Sequence, residues 1–208
     1  MARGTCQSPE AAAAKPPFCE RQRLGSGAAP WAQWTVTGAG AFIVESENEN
    51  GGVFISEGLP GIVVDKGIND AANMGAAMAP AAVDTLLRYF KESGTTPSDY
   101  DAIFTGDLGF EGSKILREFM SIEGYDLSEN YFDCGNLIFD RETQDVHSGG
   151  SGCGCSAVVL ASYIFPKLKS GEFQNALLIG TGAMMSPSSL KQGLSIPAIA
   201  HLIKLEHR

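Results

Sequence analysis

The residues best suited to chemistry sit in one run, HSGGSGCGCSAVVLA at 147–161, where glycines lead straight into an apolar helix. Glycine lets backbone approach a ligand closely, and the free N–H groups of a helix start favour an anion or an oxyanion. Gly149, Gly150, Ser151, Gly152 and Cys153 are therefore the candidate ligand-binding residues, lining an acyl or carboxylate pocket. The same glycines suit tight packing of a buried helix start against a neighbouring strand, and the residues alone leave both readings open. The run is neither a phosphate-binding P-loop nor a dinucleotide fingerprint. GxxxxGK followed by Ser or Thr is absent, and no strand of the right length precedes the glycines.

Other reactive side chains offer less. Cys6, Cys19, Cys134, Cys153 and Cys155 form an odd set of five without a CxxC pair, and read as reduced thiols. Cys153 and Cys155 would need two more ligands to hold zinc. His147, His201 and His207 lack metal-ligand spacing, so no metal and no cofactor are expected. His147 reads as an ordinary loop histidine. Asp107, in TGDLG, stands just past a strand end, where α/β ligand sites gather. A turn or helix-cap role serves it equally, and the cap is the expected one. Met74, Met78, Met184 and Met185 read as core or interface fillers.

These residues need a scaffold, and 208 residues with 44% hydrophobic content can build one. Net charge −9, from 15 Lys+Arg against 24 Asp+Glu, argues against nucleic acid as a partner. No apolar run approaches the ~20 residues that span a bilayer. The N-terminus lacks a secretory apolar segment, which predicts a soluble intracellular chain.

Residues 1–30 show no sustained period and predict an irregular arm; residues 31–208 form the ordered domain. A strand is expected over 32–45, a turn at 47–52, and one or two strands over 53–65, paired as an antiparallel hairpin. A helix comes next, with Pro80 at its start, Val83, Leu86, Leu87 and Phe90 on one face, and Gly94 past its end. Then come a buried strand AIFT, a helix over GSKILREFMSIEG, and a strand near Cys134–Phe139. SAVVLASYIFPKLKSG reads as a helix apolar nearly all round, NALLIGTGA as a central strand, and SIPAIAHLIKLEHR as the last strand. The order β-β-α-β-α-β-α-β-β predicts an α/β protein: a mixed, layered sheet with helices packed on it.

The blocks QWTVTGAGA, MGAAMAPAAVDT, DYDAIFTGDLG, SGGSGCGCSAVV, GTGAMMSP and SIPAIAH, in this order, resemble the C-terminal half of the stage V sporulation protein AD family. The resemblance implies a thiolase-like half, a β-α-β-α-β-α-β-β unit. It also makes residues 1–30 the stump of a missing N-terminal half, the half that carries the nucleophilic cysteine in condensing enzymes. In those enzymes a His or Asn occupies the glycine-rich loop, as in GHTLGAAG or GNTSAAS, and Ser151 falls at that position.

The resemblance further implies a non-catalytic protein that binds dipicolinic acid, as its calcium complex, and supports its uptake into the developing spore. Its partners would be membrane proteins of the same sporulation operon, and its place the cytoplasmic side of the spore or forespore inner membrane, as a peripheral protein. A homo-oligomer or a complementary N-terminal half would cover the apolar helix at 156–168. The alternatives are an acyltransferase of the condensing-enzyme or thiolase type, and an inactive truncated fragment.

Overall fold

The computed structural model describes residues 31–46, 51–144 and 146–208. The expected arm at 1–30 and the turn residues 47–50 lie outside the described residues. In chain order the elements are β1 (Trp34–Thr35), β2 (Val53–Leu59), α1 (Met74–Ser93), β3 (Ala102–Thr105), α2 (Gly109–Ile122), β4 (Tyr131–Asp133) and α3 (Cys134–Leu137). After them come β5 (Gly150–Ser151), α4 (Cys155–Val159), a π-helical turn (Leu160–Ile164), α5 (Phe165–Lys169), β6 (Asn175–Ala183), α6 (Pro187–Lys191) and β7 (Ala198–His207).

Five strands form a mixed sheet in the order β2-β7-β6-β3-β4. β3 runs parallel to both β4 and β6, while β7 is antiparallel to β6 and β2. NALLIGTGA is the middle strand, as its apolar run predicts. Successive side chains of a strand face opposite sides, which splits the core in two. Ile103, Leu177, Ile179 and Leu202 pack against Leu86 and Phe90 of α1 and Leu116 and Met120 of α2. Phe104, Ala176, Leu178 and Leu205 pack on the other side against Val159, Ile164 and Leu168 of the α4–α5 segment. Phe104 stacks on Phe132 with ring centroids 5.4 Å apart.

The expected N-terminal hairpin does not form. β1 pairs in parallel with β5, and β2 pairs with the C-terminal strand β7. The residues after β1 leave the ladder and cross the α4 segment, an approach that needs hydrogen at two Cα atoms. A methyl on Gly40 would lie 2.4 Å from the Ala157 carbonyl oxygen, and one on Gly38 2.5 Å from a Val158 methyl carbon. Phe42 then packs its ring on Phe165 at 6.2 Å. The outer face of the apolar helix is thus covered by its own chain, and Leu160, Tyr163 and Phe165 are half-buried. Exposed apolar side chains stand elsewhere, at Ile43, Val44, Ile62, Val63, Met184 and Leu194.

Two further boundaries differ from expectation. α1 begins at Met74, not Pro80, because the Asn73 side chain accepts the Ala76 N–H at 3.1 Å and starts the helix earlier. Gly94 ends it as expected, in the left-handed conformation with its N–H on Phe90 oxygen. The strand expected near Cys134–Phe139 is instead β4, which stops at Asp133; the Asp133 side chain accepts the Gly135 N–H and turns the chain into α3. Pro166 has no N–H to give and would crowd the carbonyl four residues back, and the helix widens into a π turn just before it, with Phe165 N–H reaching Leu160 oxygen.

Candidate functional site

The glycine-rich loop is stitched into the molecule from four directions. Gly150 and Ser151 lie parallel to Trp34 and Thr35, and the Gln33 amide donates to the carbonyls of Gly150 at 3.1 Å and Asp107 at 2.9 Å. A methyl on Gly135 would lie 2.2 Å from the Gly150 carbonyl oxygen, so α3 abuts the loop from below. Asp107, past the end of β3, gathers the rest. One carboxylate oxygen accepts the Ser151 hydroxyl at 2.9 Å and the Gly152 N–H at 3.0 Å; the other accepts the Thr181 hydroxyl from β6 at 2.8 Å. Gly149 and Gly150 are buried in this packing, Ser151 and Gly152 are half-buried, and Cys153 is exposed. Ser151, Gly152 and Cys153 form the accessible face. Asp107 and Thr181 join them there.

Asp107 does not cap α2, the role its position suggests. Asp133 does so from β4, taking the Leu108 and Gly109 N–H groups at 2.8 and 2.9 Å. It also accepts the Gly135 N–H at 3.0 Å and the Thr105 hydroxyl at 2.7 Å, so one fully enclosed carboxylate starts both α2 and α3. Burial nevertheless pushes its carboxyl up to about 7, against the pull of these donors. Nothing in the local sequence marks this role, because its donors at 105, 108 and 109 come from another strand end.

Two of the thiols are poorly placed for a nucleophilic role. Cys134 and Cys155 are buried, and burial pushes both thiols well up, with the nearby Asp107 and Asp133 charges adding to the effect. A hydroxyl donating to a carboxylate, as Ser151 does, has no imidazole to take its proton. Among the described residues no group of three or more His, Cys, Asp or Glu side chains could hold a metal ion. Nor is any described helix long and apolar enough to cross a membrane.

Fold and site together define a mixed α/β protein whose polar centre is an Asp-Ser-Thr cradle fixed to a glycine-rich loop. The family model for Stage V sporulation protein AD matches residues 5–206. The Stage V sporulation protein AD of Bacillus subtilis (strain 168) is 43% identical over 172 residues, covering 83% of this chain and 50% of the relative. The chain belongs to the stage V sporulation protein AD family, and is thereby a sporulation protein. It spans about half the length of the curated relative it matches.

Proposed function

We propose that the chain is a non-catalytic, thiolase-like binding protein that receives calcium dipicolinate at the face made by Gly149–Cys153 and supports its uptake into the developing spore. The observation that carries this reading is the state of Ser151. Its hydroxyl is spent on Asp107, and by the resemblance to condensing enzymes it falls where they keep a His or Asn. With the short α3, β5 and α6 set aside, the elements from β2 to β7 follow a β-α-β-α-β-α-β-β succession, which supports the thiolase-like reading. Buried, protonated Cys134 and Cys155 speak against acyl transfer by this chain.

Asp107 bears on which form of the ligand is taken. A free dianion approaching the loop meets a carboxylate, whereas the calcium complex is formally neutral and can turn its cation toward that carboxylate oxygen. Calcium is cargo here. The proposed setting is the cytoplasmic side of the forespore inner membrane, with membrane proteins of the same operon as partners. A second copy or a complementary half would cover Ile62, Val63, Met184 and Leu194. Equilibrium dialysis of dipicolinate with and without calcium tests the binding: calcium should raise retention, and Ser151→Trp should remove that rise. No calcium-dependent retention, or a rise that Ser151→Trp leaves unchanged, would refute it.

A further inference from the structure

A concave site lies away from the glycine-rich loop, between α2 and the β4–α3 corner. It is a half-open groove of about 470 Å³, within the range of small-molecule sites. Phe110 and Phe132 contribute aromatic lining, and Lys114 and Arg117, one turn apart on the exposed side of α2, line it as well. Among the described residues neither cation has a carboxylate within ion-pair distance. The Arg141 guanidinium, outside the lining, lies over the Phe110 ring 4.3 Å from its centroid and takes up one of that ring's faces. Two acids also line the cleft. Asp133 has both oxygens filled by four donors, which leaves Glu118 as the lining acid without such donors beside Lys114 and Arg117. In a chain of net charge −9, two cations with no ion-pair partner among the described residues stand beside aromatic side chains here.

We infer that this cleft binds a small planar ring bearing a carboxylate or phosphate, the ring lying on Phe110 and Phe132 and the anion meeting Lys114 and Arg117. Ring and charge each have a counterpart. Neither wall alone would select such a ligand, since an aliphatic anion leaves the phenylalanines unused and a neutral ring leaves the cations hydrated. The inference stands whether or not the loop binds calcium dipicolinate.

Calorimetric titration of the full chain at low salt with adenosine monophosphate, benzoate and inorganic phosphate tests it. At least one aryl anion should bind at roughly millimolar or better and more tightly than inorganic phosphate; which of the two is tighter tells a phosphate source from a carboxylate source. The double variant Lys114→Ala/Arg117→Ala, both exposed positions, should weaken that binding by about tenfold or more, while Ser151→Trp leaves it unchanged. The inference is overturned if neither aryl anion binds, if inorganic phosphate binds as well as both, or if the double variant binds like the parent.

Discussion

Replacing Asp107 by alanine removes the group that ties β3, the glycine-rich loop and β6 together. Three donors lose their acceptor: the Ser151 and Thr181 hydroxyls and the Gly152 N–H. A hydrogen bond to a charged group contributes about 1.5–3 kcal/mol, but the site is half-exposed. Both hydroxyls can rotate toward water, while the Gly152 N–H is fixed by the backbone. Counting the N–H in full and the hydroxyls at a fraction gives a loss of about 2–3 kcal/mol. Asp107→Asn keeps one acceptor oxygen but turns an NH₂ toward a donor, and should cost about half as much. Urea unfolding at neutral pH, with the slope checked for constancy, measures both. A loss below about 0.5 kcal/mol for the alanine variant would mean that Asp107 does not hold the loop.

The same geometry sets three other outcomes. Gly135→Ala should destabilise by about 2–3 kcal/mol and weaken ligand binding at the loop, since the new methyl meets the Gly150 carbonyl; thermal unfolding with a parallel binding titration checks both effects. Asp133 has a folded value of about 7 above its ordinary 3.8, so the native state holds a proton the unfolded chain has shed. Its contribution is complete below about pH 4 and is lost as pH rises toward about 7, at about 1.4 kcal/mol per unit. Asp133→Asn should flatten the stability profile across that window, and an unchanged slope would contradict the assignment. Iodoacetamide at neutral pH should label Cys153 and spare Cys134 and Cys155, as peptide mass mapping would show; rapid labelling of either buried thiol would revive an acyl-transfer role.

Local patterning carried much of the fold. The apolar run NALLIGTGA and the alternation of Ile203 and Leu205 with Lys204 and Glu206 marked β6 and β7; β6 is buried on both faces, and β7 sends Leu202 to one half of the core and Leu205 to the other. The spacing of Leu86 and Phe90 marked α1, and Gly94 its end. What escaped was long-range. β1 finds its partner 116 positions away, from Trp34 to Gly150, and no nearby turn signal records that choice. Pro80 looked like a start because proline favours first turns, but Asn73 nucleates the helix earlier. At the candidate site the glycines were legible, and two of their five candidate positions are indeed occupied by packing. Asp107 was visible only as a strand-end acid; its links to Ser151 and Thr181 span 44 and 74 residues. Asp133 and the cations of α2 gave no signal, since their meaning depends on which strand ends and helices meet.

The central claim, a ligand face on the loop Gly149–Cys153, is tested most directly by calorimetric titration of calcium dipicolinate into full-length Lys114→Ala/Arg117→Ala with and without Ser151→Trp. The indole replaces a half-buried hydroxyl beside Asp107 and fills the accessible face, and far-UV circular dichroism with thermal unfolding confirms that the variant folds. Saturable binding in Lys114→Ala/Arg117→Ala, lost when Ser151→Trp is added to it, is the expected result. Equal affinity with and without Ser151→Trp, or no binding to Lys114→Ala/Arg117→Ala at all, would contradict it.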